Sequence, residues 1–302
     1  MKRTLILIAA SALLASCSTT PAPRADPLAL DPAPEGTLTV AMTASTGKAA
    51  AQTEAFAKWV AQATGKQTRP VTFPDYDSLA AAIAQGVADV AFLPPLAFVR
   101  ALEQGQPQPL AKVRRAGRTS YRAVIFAAPG SALKSVDDLR KAKNLKAAWV
   151  DATSSSGYLF PKAHLLMNGI DPAGLFLAQD FFGSHDEVCR AVLEGRADVG
   201  ATYSDDPPEA AATTPHGCRD LGETMAELQV ISATQSVPND VLAARQGLPA
   251  ELAAALREAA LKLSDSDPGK QVLADAFVAD GFTEVGDEDW APVTAALDTF
   301  KK

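Results

Sequence analysis

Positive charge is in deficit along this chain. Its 302 residues carry 28 Lys plus Arg against 35 Asp plus Glu, a formal net charge of −7, and this excludes the basic surface that a nucleic-acid partner would need. Histidine and cysteine are scarce at three each. No HExxH, CxxC pair, GxxxxGK[ST] or GxGxxG occurs, so neither metal nor nucleotide chemistry is implied, and no cofactor is expected. There is no cysteine-rich framework, and a chain this long needs none, because it can bury a sizeable core without staples. No internal repeat of fixed period appears.

The N-terminal stretch MKRTLILIAASALLASC has a short basic start at Lys2 and Arg3 and then an apolar run too short to span a bilayer, which is the pattern of a secretion signal. It ends in Leu14-Ala15-Ser16-Cys17, which resembles the lipobox of bacterial lipoproteins. That resemblance implies cleavage before Cys17, lipidation of its thiol and an extracytoplasmic, membrane-anchored mature chain. Removal of residues 1–16 takes two basic residues, leaving 26 Lys plus Arg against 35 Asp plus Glu, a formal net charge of −9. Residues 18–36, rich in Pro, Ala and small polar residues without apolar period, read as a disordered tether. Cys189 and Cys218 then remain. In an oxidising compartment they form either a bridge or two buried thiols, and spacing alone does not decide between these.

Beyond the tether, short apolar strands alternate with amphipathic helices. TLTVAM at 37–42, VTFP at 71–74, ADVAFLP at 88–94 and YRAVIFAAP at 121–129 read as strands, with a helix before residue 65 and another at 77–86 opened by Asp77 and Ser78. A second series places strands at 145–151, 178–183 and 197–203 between further helices. This rhythm predicts an α/β chain of parallel sheets covered by helices, long enough for two domains. Two segments look alike: AIAQGVADVAFLPP at 82–95 and AVLEGRADVGATYSD at 191–205 are each a helix ending in Gly and then Ala-Asp-Val feeding a strand. Ligands of open parallel sheets sit outside the carboxyl ends of strands, so residues 93–96 and 203–206 are either candidate opposite walls of one cleft or routine strand-to-helix turns. Tyr203 and Asp205 fall on the second wall.

Residues 151–161 read DATSSSGYLFP: three serines where a helix should begin. A helix start leaves backbone N–H groups unpaired and carries the positive end of the macrodipole, so these hydroxyls either cap the helix or help hold an anion. A tetrahedral oxyanion in a buried site needs many donors, and Ser154, Ser155 and Ser156 offer hydroxyls and N–H groups together at the start of a helix expected over 158–168.

At this point the chain resembles the phosphate/phosphite/phosphonate-binding lipoproteins of ABC importers. The pieces, in the family's order, are Phe73-Pro74-Asp75-Tyr76, the run from Ala88 to Leu96, the run from Ser154 to Pro161, Gly183-Ser184-His185, the run from Ala197 to Ala201, and Val237-Pro238-Asn239-Asp240. The resemblance implies a type II-like periplasmic-binding-protein clamshell of two α/β domains with two hinge crossings, closing on a small oxyanion and delivering it to a membrane permease. It implies ligand contacts from Tyr76, from the serines 154–156 and from His185, with Asp205 a looser match. The second tyrosine that many phosphonate binders carry appears here as Leu93, followed by Pro94 and Pro95, which points to a reshaped pocket. No Arg lies in the matched loops, so neutral donors are expected to hold the anion. A His185 that donates to it would favour its protonated form, with affinity falling as pH rises. His164 and His216 read as structural.

The hinge crossings are placed near Ile125 and Val230, giving a first domain over 37–125 and 230–302 and a second over 126–229. A monomer anchored by its lipid is expected. The alternatives are a clamshell sensor docking on a receptor kinase, a binder of another small anion, or a hydrolase using Ser155, His185 and Asp205. The last is the weakest, because the serines are not in a Gly-x-Ser-x-Gly elbow. Asp205-Asp206 before Pro207-Pro208 reads as a solvated turn ahead of a metal site.

Overall fold

The computed structural model describes residues 30–207 and 210–301. The secretion signal, Cys17 and the tether up to residue 29 lie outside them. In chain order the first segment runs β1 (Thr37–Thr43), α1 (Ala49–Thr64), β2 (Gln67–Phe73), α2 (Tyr76–Ala84), β3 (Val90–Leu93), α3 (Pro95–Gln104) and β4 (Gln108–Arg114). The middle segment runs β5 (Ser120–Ala127), α4 (Val136–Lys141), β6 (Leu145–Trp149), α5 (Phe160–Met167), α6 (Pro172–Leu175), β7 (Phe176–Phe181), α7 (His185–Leu193), β8 (Val199–Ser204) and β9 (Gln229–Pro238). The chain closes with β10 (Val241–Ala244), α8 (Ala250–Leu261), α9 (Asp267–Val272), β11 (Gly281–Thr283) and α10 (Ala291–Asp298).

These strands form two sheets, ordered β11-β4-β10-β3-β1-β2 and β7-β6-β8-β5-β9. The α/β reading with two domains holds, but the sheets are mixed and not parallel. β10 runs antiparallel to β3 and β4, and β5 antiparallel to both β8 and β9. Apolar runs buried on both faces read alike whichever way their neighbours point, so direction is not written in them. The stretch that returns the chain is cut into β9 and β10 by Asn239 and Asp240.

The chain passes between the sheets at 115–119 and returns at 239–240. Ile125 and Val230, the expected crossings, sit inside β5 and β9, which stay paired from Ser120↔Pro238 to Ala127↔Gln229. A continuous strand carries no local mark of where it leaves a domain. Asn239, fully buried, clamps the passage: its Nδ2 donates to the carbonyls of Val113 at 3.0 Å and Arg118 at 2.9 Å. The last tether residues are also placed otherwise than expected. Leu30 packs against the core, and Arg69 donates to the Asp31 carbonyl.

The two look-alike segments share one device. The Asp89 backbone N–H donates to the Thr39 carbonyl at 2.9 Å, while its carboxylate accepts from the Thr39 N–H at 2.8 Å. In the other lobe Asp198 does the same to Lys146, at 2.9 and 2.7 Å. Each aspartate therefore ties the start of a strand to its parallel neighbour and sets where both strands end. Arg245 adds a 2.7 Å bond to Asp89. Asp89→Ala removes bonds to a charged group, worth about 1.5–3 kcal/mol, and is expected to lower unfolding free energy by that amount in denaturant titration.

Candidate functional site

The carboxyl ends of β1 and β3 in one sheet and of β6 and β8 in the other face a cavity of about 130 Å³. That is well below the roughly 300–1,000 Å³ of drug-sized pockets and suits a ligand of few heavy atoms. Residues from both lobes line it, and two further residues come from the passages between sheets.

The serine wall comes first. The chain leaving β6 turns back so closely that a Cβ at Gly157 would stand 2.4 Å from Val150 Cγ2, so only glycine fits there. Helical structure begins at Ser155, three residues before the expected start, with one wide turn over Ser155–Leu159 leading directly into α5. Such wide turns are frequent at functional sites. Ser154 is the cap: its Oγ accepts from the Gly157 N–H at 3.0 Å. The Ser155 Oγ accepts from the Leu96 N–H at 3.0 Å, reaching the start of α3 in the other lobe. Ser156 lies beside the phenol of Tyr121. All three serines line the cavity and are almost fully buried. Capping and cavity lining are thus not alternatives, since Ser154 does both.

Tyr76 opens α2, placed by the Asp75 carboxylate, which accepts from the Ser78 N–H at 2.7 Å. The cap is therefore Asp75, not Asp77 or Ser78. Burial raises the pKa of the Tyr76 phenol above its ordinary value, with the hydroxyls of Ser45 and Thr43 acting the other way. Burial raises Tyr121 likewise. Both phenols hold their protons at neutral pH and can donate them. Leu93 is corrected: it is fully buried in the core and absent from the cavity wall, while Phe92 and Pro94 line it. Side chains alternate along a strand, so the residue expected to face the ligand points the other way.

His185 is the first residue of α7, behind the Ser184 cap, and lines the cavity. Its Nδ1 lies 2.7 Å from Thr202 Oγ1, and its ring stands edge-on to Tyr203, 5.1 Å between centroids. Burial, helped by the nearby Arg219 guanidinium, lowers its pKa from 6.5 to about 4. Burial thus favours the neutral ring, whereas donation to an anion is expected to favour the protonated one. A neutral ring that accepts the Thr202 proton at Nδ1 carries its own on Nε2, available to a ligand.

Two arginines enter the cavity wall, against the expectation of neutral donors alone. Arg115, in the first passage between sheets, is 2.7 Å from Asp240 in the second, and it also donates to the carbonyls of Phe277 at 3.2 Å and Val278 at 3.0 Å. Arg219 is 3.3 Å from Asp205 and lies over the Tyr203 ring at 5.6 Å. Neither arginine sits in a segment with a local motif, since one follows the end of β4 and the other follows Cys218. Each is paired with its own carboxylate. Asp206 is turned away into its loop, accepting from the N–H groups of Thr213 at 2.8 Å and Thr214 at 2.9 Å. His164 is outside the cavity, its Nε2 2.7 Å from Ser232 Oγ.

A family model described as "ABC transporter, phosphonate, periplasmic substrate-binding protein" matches residues 38–290. The chain belongs to this family. Among curated relatives, the Phosphate-import protein PhnD of Mycolicibacterium smegmatis is 27% identical over 155 residues, so the chain spans about half, 48%, of that relative's length and the match covers 48% of its own. Among solved structures, a binding protein component of an ABC phosphonate transporter from Pseudomonas aeruginosa superposes with TM-score 0.76 at 24% identity, covering 88% of this chain and 87% of that one. PhnD1 from Prochlorococcus marinus in complex with methylphosphonate gives 0.73 at 20%, covering 88% and 99%. At these identities the structural likeness shows the shared fold.

Within this binding-protein fold, the structure brings Tyr76, Ser154, Ser155, Ser156, His185, Tyr203 and Asp205 to one cavity and leaves Leu93 behind it. The depressed pKa of His185 has a stability consequence. Between about pH 4 and the ordinary 6.5 the unfolded chain binds this proton and the folded chain does not, so this contribution is complete above 6.5 and is lost as pH falls toward 4. His185→Gln is expected to narrow the difference in unfolding free energy between pH 7 and pH 4.5, measured by denaturant titration. An unchanged difference would show that the ring titrates normally.

Proposed function

We propose that the protein is the lipid-anchored, extracytoplasmic solute-binding component of an ABC importer, capturing a small phosphorus oxyanion in the cleft and handing it to a membrane permease. The observation that carries this reading is the convergence, in one small cavity, of the start of the helix at Ser155 with hydroxyls from both lobes and an imidazole. First-turn N–H groups and hydroxyls suit an anion with several acceptor oxygens. The names of the relatives support it: one is called a phosphate-import protein and another was solved with methylphosphonate. Asp205 and Asp240 in the same wall add a selection. A carboxylate can only accept, so it welcomes a hydroxyl of a protonated phosphorus oxyanion and repels sulfate, which has no proton to give near neutral pH.

A Ser-dependent hydrolase draws no support from the geometry. Ser154 and Ser155 are occupied as acceptors of backbone N–H groups, and the Nδ1 of His185 faces Thr202.

The test is calorimetric titration of the purified lipid-free protein, stripped of carried ligand by unfolding and refolding, with phosphate, phosphite, methylphosphonate, 2-aminoethylphosphonate and sulfate. One-to-one binding of a phosphorus oxyanion, with sulfate silent, is the expected outcome, and silence across the panel would overturn the ligand class. Ser155→Ala and His185→Ala are each expected to weaken binding by about tenfold, the worth of one hydrogen bond, without unfolding the protein. Unchanged affinity in both would sink the assignment of the site.

A further inference from the structure

A segment over residues 216–220 lies across the end of β8, with Arg219 in the cavity wall and its other residues each tied to neighbouring elements. Gly217 presses on that strand so closely that a Cβ there would stand 1.8 Å from Thr202 Oγ1 and 3.0 Å from the Tyr203 ring. His216 Nδ1 accepts from the Asp205 N–H at 3.1 Å. Arg219 pairs with the Asp205 carboxylate, covers the Tyr203 ring, and donates from Nε to its own segment at the His216 carbonyl, 3.0 Å away. Asp220 reaches Lys48 of the first lobe at 3.4 Å. Cys218, in the middle, is bonded to Cys189 of α7, the helix that begins with His185. Thr202, the partner of His185 Nδ1, is thus enclosed between α7 and the segment that the bridge ties to it.

Both cysteines are fully buried, so the bridge faces no solvent. The bridge cross-links two elements that each present a cavity residue, His185 on one and Arg219 on the other. Thr202, Tyr203 and Asp205 depend on the segment for packing, ring cover and a charge partner respectively.

Building on the oxyanion reading above, we propose that residues 216–220 form a clasp that completes the binding cavity. In it Arg219 is a further ligand-facing cation, and the Cys189–Cys218 bridge positions it. Arg219, half-exposed and shared with Asp205, adds a charge-assisted donor that an anion can engage without displacing a buried ion pair.

The test is a mutant cycle on phosphate, phosphite and methylphosphonate affinity, using Arg219→Gln, the double variant Cys189→Ala/Cys218→Ala, and the triple combination. Arg219→Gln is expected to weaken binding about tenfold. The bridge-free variant should lose a similar factor, and the triple variant should bind no worse than Arg219→Gln by itself, because the bridge acts through that side chain. Losses that multiply, or a bridge-free protein with wild-type affinity, would overturn the proposal. Gly217→Ala keeps the bridge but lifts the segment from β8, so it serves where the bridge-free chain fails to fold. It should show the same loss and the same non-additivity, and wild-type affinity in it counts against the clasp.

If the wild-type protein binds none of the three anions, the ligand reading fails and hydrogen exchange decides the clasp on its own. The Asp205 amide should then exchange faster in Gly217→Ala, while the Lys146 amide, held by Asp198 in the same lobe, stays unchanged. Equal protection of Asp205 in both proteins would remove the clasp.

Discussion

The contact between the backbone at Gly157 and the side chain of Val150 determines where everything else in the second lobe can stand. The Val150 N–H donates to the Gly157 carbonyl at 3.2 Å, and no side chain fits between them. The helix start is thereby held at the end of β6, with its first N–H groups and the positive end of the helix facing the cleft. Ser154 must then cap Gly157, and Ser155 is left at the one place from which its oxygen can reach the Leu96 N–H of the opposite lobe. A larger residue at 157 would displace the cap, the cavity floor and a contact across the cleft together.

That contact joins a wider seam. Thr153 donates its hydroxyl to Asp77, and Lys48 meets Asp220. On the outside, Val293 and Ala296 of α10 share a cluster with Leu96 of the first lobe and Phe160 and Ala163 of the second. Of these polar contacts only Lys48–Asp220 is largely exposed and worth little by itself, whereas Ser155–Leu96 is buried. The apolar cluster is buried, and Tyr121, packed against it, also lines the cavity.

The alternation of strands and helices was legible because apolar period and glycine stops are local properties, and the Ala-Asp-Val repeat marked the strands whose ends carry the site. Asp89 and Asp198 explain that repeat physically, since each uses its backbone and carboxylate together on a neighbouring strand. Strand direction was not legible, nor was the three-residue β11, because both are decided by partners distant in sequence. At the site, Ser154–Ser156, Tyr76 and His185 stand where a helix begins, a position with a sequence signature. Leu93 failed by the one-residue alternation of a strand. Arg115 and Arg219 had no local signal, because their meaning comes from Asp240 and Asp205, at separations of 125 and 14 residues.

The arginines also change what the cavity is electrically. Neutral donors alone would leave an anion facing the net negative charge of the whole chain, whereas an unpaired guanidinium would hold it against release. Pairing each arginine with an aspartate removes the monopole and leaves directed donors, so that affinity rests on geometry that exists only while the walls are together. Arg115 makes this most directly, because its partner Asp240 lies in the other passage between the sheets and its remaining bonds hold the carbonyls of Phe277 and Val278 at the cavity edge. Val278 has a left-handed backbone, φ 48°, a conformation a β-branched residue adopts only when its surroundings impose it. The guanidinium that lines the cavity therefore also ties the two passages between the sheets to each other.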